Sequence, residues 1–443
     1  MKPLKHLILA SALAASLVSS ALANTTQYVH IVGAPAYRQN GNDTITAVVA
    51  GFTGAGLTAT SATSTTAAAI ESAKQNQWLI PNYATGINLI VNVTWAGSTA
   101  GFASVASGSI TQKYIADGTG TVASPVTGAA VGTAIQPDFT LSDTFQATTI
   151  YNGTVKLEGP TASTSFTKTY QTLNPSLLGV EAYRWVASPG AAAQGLTNLT
   201  TLEAQLLYEN GSLPLAFFTG KNSDENTTVY ALSRDPGSGS RLVALAETGV
   251  GPQSTIYTYD PTISGGSIDS ENNYVGGTIT DPADNPRVYA AGLIPSTGVW
   301  DPNAGDTGYP SFGTTVQGTG LLQAITATPP SGAIFITYLN IDDSTEAAAS
   351  GAEILSWNGI SFSPTIGNLS TLTPVTEGQY TFWSYEQLFA PTPLGTSVVD
   401  GYGTNQVSFA NALVAKFPTY AEVPYSALNV GKTVDGGVVT PNY

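Results

Sequence analysis

The segment from Arg234 to Ser240 reads Arg-Asp-Pro-Gly-Ser-Gly-Ser, which brings a guanidinium, two hydroxyls and two glycines together. Glycines at 237 and 239 let the backbone turn tightly and approach a ligand. Residues 242–247 are predicted to form a helix, whose first N–H groups lack partners within it. A helix start beside a guanidinium favours anions. We therefore predict an anion site formed by Arg234, Ser238, Gly239 and Ser240; the alternative is an ordinary capped turn with solvated arginines.

Two further polar turns follow predicted strands. Residues 87–93 form an apolar run that ends in Trp-Ala-Gly-Ser-Thr-Ala-Gly, and this turn contains Ser98. Residues 138–142 form another run, and Asp143 closes it, either as a ligand or as a helix N-cap. In an open α/β sheet, ligands gather at the carboxyl ends of the strands. We therefore expect Ser98 and Asp143 to lie near the Arg234 turn.

The elements that must position these residues alternate along the chain. Apolar runs at 28–32, 87–93 and 139–142 predict strands, and residues 42–51 predict a helix after the first of them. Strand, small-residue turn and helix in repetition indicate an α/β fold with parallel βα units. The runs 177–186 and 333–339 are predicted to cross between domains.

The length of 443 residues exceeds what one core usually supports, about 250–300 residues. We expect a discontinuous domain I at 24–178 plus 339–443 and a domain II at 179–338.

Missing residue types exclude several chemistries. The chain has no cysteine and two histidines, so it has no disulfide, no thiolate metal site and no cysteine nucleophile. His6 lies in the predicted signal sequence, and His30 lies in an apolar run where a strand role is favoured over a catalytic one. Residues 301–306 and 340–343 carry clustered oxygens without EF-hand spacing, and we predict surface turns there. No metal or cofactor is expected.

The net charge and the N-terminal residues indicate which partners and which cellular location to expect for the protein. The net charge is −15, which disfavours nucleic acid and anionic lipid as partners. Lys2 and Lys5 precede the apolar stretch 7–18, and Ala21-Leu22-Ala23 has the form of a signal-peptidase site. The stretch is shorter than the ~20 residues that span a bilayer. We predict a signal peptide at residues 1–23 and an exported, soluble product without membrane insertion, periplasmic or extracellular.

These segments together resemble the phosphate-binding proteins of bacterial ABC transport, which have the two-domain type II periplasmic-binding fold with a ligand cleft between domains. The most specific match is the family's Arg-x-x-Gly-Ser-Gly-Thr signature, which appears here as Arg-Asp-Pro-Gly-Ser-Gly-Ser. The resemblance covers residues 31 to about 389, and its matching segments are residues 32–37, 97–101, 138–143, 234–240 and 379–385.

The resemblance implies a role for each matched residue. Ser98 would bind phosphate, and Asp143 would be the carboxylate that meets it. Arg234, Ser238, Gly239 and Ser240 would complete the set, as they stand in the family's signature.

The first turn departs from the family pattern. Ala34-Pro35-Ala36 lacks the expected hydroxyl, and Pro35 has no N–H to donate. Either the backbone of Ala36 or Tyr37 donates to the anion, or the contact is lost. Arg38 would replace it if its side chain reaches the cleft.

The resulting expectation is an exported solute-binding protein that captures a tetrahedral oxyanion, most likely inorganic phosphate, for ABC-type uptake through a permease. We expect a monomer that does no chemistry. Two alternatives remain open. One is a cell-surface or matrix structural protein that keeps the fold without a ligand. The other is a phosphate-ester hydrolase with Ser98 or Ser238 as nucleophile, which would lack a histidine base.

The mature protein should begin at Asn24, because Ala21-Leu22-Ala23 provides the small residues that signal peptidase requires. The intact mass of exported protein measures this directly. A mass that includes residues 1–23 would contradict the prediction.

Overall fold

The computed structural model describes most of the chain after the predicted signal sequence. The described residues are 24–53, 58–61, 74–115, 134–158, 165–270, 273–283, 287–289, 308–314, 317–365, 368–394 and 403–442. The predicted signal peptide and the oxygen-rich turn at 301–306 lie outside these ranges.

Ten strands form the central path of a large mixed sheet. They are β1 (Thr25–Gly33), β2 (Thr58–Ser61), β3 (Gln75–Ala84), β4 (Ile87–Thr94), β5 (Phe139–Ser142), β6 (Asn174–Ala187), β7 (Ser212–Pro214), β8 (Thr228–Ala231), β9 (Ala333–Asn340) and β10 (Trp383–Ala390). Their spatial order is β7-β8-β9-β6-β10-β5-β1-β4-β3-β2. The predicted α/β class is confirmed.

Two long antiparallel neighbours, β6 and β10, connect the two sides of the sheet, and we call them the joining strands. On one side, β10 pairs with β5, and β1 runs parallel to both β5 and β4. On the other side, β6 pairs with β9, which runs parallel to β8. The prediction that residues 333–339 cross back was therefore wrong, because β9 stays beside β8 and β10 makes the crossing. The division into two domains stays a prediction.

The helices follow the strands much as the sequence predicts. The longer ones are α1 (Arg38–Thr53), α2 (Ser98–Val105), α3 (Thr201–Asn210), α4 (Gly239–Glu247), α5 (Leu321–Thr326), α6 (Ile341–Ala349) and α7 (Thr404–Lys416), and single turns occur at Ala216–Thr219 and Thr373–Thr376. Thr200 caps α3 in a capping box with Glu203. Asn340 caps α6, so the oxygens at 340–343 belong to a helix start.

Separate apolar cores lie on the two sides of the joining strands. The β8 side buries a group of aromatic rings around Trp185, with Phe382 stacked against it and Trp357 packed at a tilt. The β1 side has two smaller clusters, one of which contains Trp95. None of the helices in the described ranges combines the length and apolar composition needed to cross a bilayer.

The Trp95 ring holds α1 against the ends of β1 and β4. Gly33 and Gly41 lie so close to the ring that a Cβ atom at either position would overlap it. The indole N–H donates to Asn42 of α1 at 3.0 Å. This packing fixes the start of α1 beside the turn that carries Ser98.

Gly41→Ala should destabilise the protein by about 1–3 kcal/mol, because the added methyl overpacks a core that is already filled. The matched control is Gly51→Ala in the same helix, where no atom lies within 4 Å of the new Cβ. The control should be neutral or more stable by about 0.5–1 kcal/mol. Urea denaturation of the three proteins measures both effects, and equal stability of the two variants would contradict this packing.

Candidate functional site

The turns that follow β5 and β4, two strands separated by β1 in the sheet, meet at Asp143. Asp143 follows β5 directly and is buried, and Ser98 begins α2 after β4. The Ser98 hydroxyl donates to one carboxylate oxygen of Asp143, and the Tyr183 hydroxyl of β6 donates to the other at 3.0 Å. The alternative role of Asp143 as a helix N-cap is not observed, because the next helical turn starts after Phe145.

Burial is the main influence on the ionisation of Asp143 and raises its pKa. The hydrogen bonds from Ser98 and Tyr183 and the positive charge of Arg234 act in the opposite direction. The Asp143 carboxyl group is therefore buried, and its ionised form depends on a few donors and one nearby cation.

The second turn forms the start of α4. Ser238 is the N-cap of this helix, and its hydroxyl accepts from the Arg241 N–H at 3.3 Å. The hydroxyls of Ser238 and Ser240 lie 2.7 Å apart. The side chain of Asp235 accepts from the Gly237 N–H at 2.7 Å, which fixes the tight turn. The predicted helix start after a glycine-rich turn is confirmed.

The two turns touch each other directly. The N–H and the hydroxyl of Thr99 donate to the Gly237 carbonyl at 3.3 Å and 2.7 Å. A Cβ atom at Gly239 would overlap the Asp143 carboxylate and lie 2.6 Å from the Ser98 hydroxyl. Gly97 has a φ of +113°, and its Cβ would lie 2.6 Å from the Gly237 carbonyl oxygen. Glycine at these positions is what permits so close an approach.

Arg234 lies at the end of β8 with its guanidinium buried and fixed. Its Nε donates to the carbonyl of Tyr309 at 2.9 Å and its Nη2 to that of Pro310 at 3.0 Å. The guanidinium carbon lies 4.6 Å from the centre of the Phe312 ring, and Asp235 is 3.9 Å from Nη2. Nη1 is buried and has no hydrogen-bond partner among the described residues. The Nη1 NH₂ group is thus left for another acceptor.

The first turn, Ala34-Pro35-Ala36, has no side-chain hydroxyl that could donate to an anion. The Ala36 carbonyl accepts from the Asn340 side chain at 2.9 Å, and the Arg38 N–H is bonded to the Pro35 carbonyl. For Tyr37 the structure describes only the backbone, in a short 3-10 helix. Arg38 is partly buried. Burial and the charge of Arg234 lower the Arg38 pKa, and Asp343 opposes them. Two guanidiniums therefore lie within electrostatic range of each other.

Residues 432–435 of the C-terminal segment contact the elements that follow the Asp143 turn and the Arg234 turn. The side chain of Asp435 accepts from the N–H of Phe145 at 2.9 Å and from the hydroxyl of Thr148 at 2.6 Å, just after Asp143. Three residues earlier, the Lys432 ammonium lies 3.3 Å from Glu247 at the end of α4. The segment thereby links the loop after β5 to the helix that follows β8.

Sequence reasoning missed several residues that shape this site. For Tyr183 the sequence predicts only a place in an apolar crossing strand. Tyr309, Pro310 and Phe312 fall in a glycine- and proline-rich stretch without periodicity, and Asp435 falls in the tail. The one signal in the sequence was that Tyr183 follows Glu181 by two residues within an apolar predicted strand. Polar groups buried in such a strand need hydrogen-bond partners.

His30 has the strand role that was favoured for it. It is buried in β1, and its imidazole lies 3.8 Å from Asp138 and against the Tyr114 ring. Burial raises the Asp138 pKa to about 6. In the described part of the chain, no group of three or more histidine or acidic side chains is arranged to hold a metal ion.

The sequence matches no protein-family model and no curated protein. Solved structures with a similar arrangement include an ABC-type phosphate transport receptor from Vibrio cholerae, with 11% identity, a TM-score of 0.39 and coverage of 89% of this chain and 97% of that one. PstS from Borrelia burgdorferi has 9% identity, a TM-score of 0.35 and coverage of 87% and 92%. A possible phosphate binding protein from Planctomyces limnophilus has 10% identity, a TM-score of 0.33 and coverage of 83% and 82%.

Gly239→Ala should cost about 1–3 kcal/mol of stability, because its methyl would push the α4 turn away from Asp143 and Ser98. The cost should shrink when Asp143 is also alanine, which makes the two substitutions non-additive. Denaturant unfolding of the wild type, both single variants and the double variant measures the coupling. Additive effects would show that Gly239 does not lie against the Asp143 side chain.

Proposed function

We propose that this protein is an exported solute-binding protein that captures a tetrahedral oxyanion, with inorganic phosphate as the ligand, between two α/β domains. The observation that carries the proposal is the Arg234 guanidinium. It is buried, held by two carbonyls and an aromatic ring, and its Nη1 has no partner among the described residues. Burying a cationic donor is costly unless an acceptor, preferably an anion, meets it.

The other candidate donors lie at the starts of α4 and α2. They are the backbone N–H of Gly239, the hydroxyls of Ser238 and Ser240, which bond each other, and the hydroxyl of Ser98, which donates to Asp143. Ala36 and Tyr37 remain candidates only through their backbone. A chain of net charge −15 has to bind an anion through such local dipoles and a few placed cations, because its overall field repels anions.

Asp143 provides the basis for selectivity. Monohydrogen phosphate carries a proton that it can donate to this carboxylate, whereas sulfate at neutral pH carries none and would face an unopposed like charge. In the structure both carboxylate oxygens accept from protein hydroxyls, Ser98 and Tyr183. Entry of an anion would require the Ser98 hydroxyl to turn from Asp143 toward the ligand and the α4 turn to move away.

Export, the signal peptide, monomeric state and partnership with an ABC permease are parts of the same proposal. So is the division into domain I and domain II around the joining strands. They follow from the A-x-A site and from the motif resemblance described above.

A second candidate function is a structural protein that keeps this fold without a ligand. The direct contact between the turns favours it, because Asp143 itself lies against the start of α4, where an external anion would bind. The Ala34-Pro35-Ala36 turn, which has no side-chain hydroxyl, favours it as well. Ligand-induced stabilisation separates the two candidates.

Phosphate at about a thousand times its Kd should stabilise the mature protein by roughly 4 kcal/mol, which is several degrees in Tm. Arg234→Met keeps an apolar side chain against Phe312 and removes the charge, so it should abolish most of this response. Lys221→Met removes an exposed cation and is the matched control, which should respond as the wild type does. Thermal unfolding with and without phosphate measures the response; a full response in Arg234→Met would show that the anion binds elsewhere.

Asp143→Asn should narrow the preference for phosphate over sulfate by at least about tenfold. A neutral amide can turn its NH₂ group toward a sulfate oxygen, and one hydrogen bond to a charged group contributes roughly 1.5–3 kcal/mol. Calorimetric titration of both proteins with both anions at neutral pH measures the two ratios. If the ratio is the same in the two proteins, Asp143 does not face the anion.

A further inference from the structure

Two buried glutamates lie on the joining strands next to the candidate anion site. Glu181 of β6 and Glu386 of β10 have no exposed surface. In the antiparallel register Glu181 is opposite Ser384, and Glu386 is opposite Gly179, so the two glutamates are diagonal neighbours across the strands. Residues two apart on a strand share a face, so Glu181 and Tyr183 point to the same side of the sheet.

The absence of a side chain at Gly179 leaves space for the Glu386 carboxyl group, but the surrounding residues supply few hydrogen-bond donors to the pair. A Cβ atom at Gly179 would overlap a carboxyl oxygen of Glu386 and lie 2.5 Å from the Ala421 side chain. Among the described residues, no carboxyl oxygen of Glu181 or Glu386 has a hydrogen-bond partner outside the pair. Two fully ionised carboxylates without donors would be very costly in such a place.

The charges around the pair are mostly negative. Asp143, Asp342 and Glu422 all act on it with the same sign. Glu422 precedes the short strand Val423–Pro424, which pairs with β6, and Asp342 lies in the first turn of α6.

The two arginines of this region, Arg184 and Arg38, already interact with other groups. The Arg184 guanidinium donates to the side chains of Ser344 and Thr345 and to the Ile341 carbonyl, and its charge acts on Asp342 and Glu422. Arg38 interacts with Asp343, the next acidic residue of α6, which also acts on Glu422.

Burial, followed by the neighbouring carboxylates, therefore raises the pKa of both glutamates, that of Glu386 to about 8. When two carboxyls share one site, the first charge opposes the second, and the pair retains protons to a higher pH than either group would alone.

We propose that Glu181 and Glu386 hold at least one proton between them at neutral pH and that this proton site is linked to the anion site through Tyr183 and Asp143. The link is structural. The Tyr183 hydroxyl donates to the Asp143 carboxylate at 3.0 Å and lies 3.4 Å from the Ser384 hydroxyl. Tyr183 follows Glu181 by two residues on β6, and Ser384 is opposite Glu181 on β10. The linkage, unlike the proton site itself, rests on the proposed anion-binding function.

The sign of each effect follows from charge. The folded protein keeps a proton that glutamates in the unfolded chain release near pH 4.3, so the stability of the fold falls as the pH rises from about 4 to about 8. For each retained proton, the unfolding equilibrium constant rises by up to about tenfold per pH unit. A bound anion adds negative charge beside the pair and strengthens proton retention. Anion affinity should therefore fall as pH rises above about 8.

The first test measures unfolding by urea between pH 5 and 8.5. Glu386→Gln has the shape of the protonated residue, so its stability should decline less steeply with pH than that of the wild type. Asp138→Asn removes a separate buried carboxyl whose pKa is raised to about 6, and as the control it should alter the profile only below about pH 6.5. Glu181→Gln is the second variant, with the same flattening expected. Wild-type slopes in both glutamine variants would overturn the proton site.

The second test measures phosphate affinity by calorimetry between pH 8 and 9.5, where phosphate is almost wholly the dianion. Affinity should fall with pH in the wild type and stay nearly constant in Glu386→Gln, with equal affinity for both near pH 7. Parallel declines would overturn the linkage. If phosphate binds neither protein at any pH, the proposed function and the linkage fail together, whereas the proton site is decided by the unfolding profiles alone.

Discussion

The contact of Asp143 with Ser98, Tyr183 and the start of α4 is the constraint on which the rest of the site depends. A buried carboxylate requires donors, and here they come from α2 and β6, while the start of α4 packs directly against the carboxylate. Each element must reach the same point, which explains the glycines at 97 and 239 and the anchoring of the following loop by Asp435. The joining strands provide the fixed base, because β6 contributes Tyr183 while it pairs with both sides of the sheet.

Arg234 supplies the complementary charge, and its surroundings are built to hold it still. Two carbonyls and the Phe312 ring fix the plane of the guanidinium before any ligand arrives. Such fixation lowers the entropy cost of binding. The glutamate pair on the joining strands has the opposite sign of charge when it is ionised, and burial raises the pKa of both carboxyls.

The sequence predicted the strands, turns and helix starts that carry Ser98, Asp143 and Arg234, because apolar runs followed by small polar residues have a clear local pattern. It did not predict β3, which lies between β4 and the edge strand β2, nor that β10 rather than β9 makes the crossing, because strand pairing depends on contacts distant in sequence. Tyr309 and Phe312 were missed for the same reason: a loop without periodicity positions Arg234. Glu181 and Glu386 lie in apolar strands, where only the register shows that they are neighbours.

The most direct test of the central claim is equilibrium dialysis of the mature protein against radiolabelled phosphate at neutral pH. We expect saturable binding of one phosphate per chain, displaced by unlabelled phosphate and much more weakly by sulfate. The absence of saturable binding up to millimolar phosphate would contradict it and would leave the fold as a scaffold in which Asp143 takes the place of the anion.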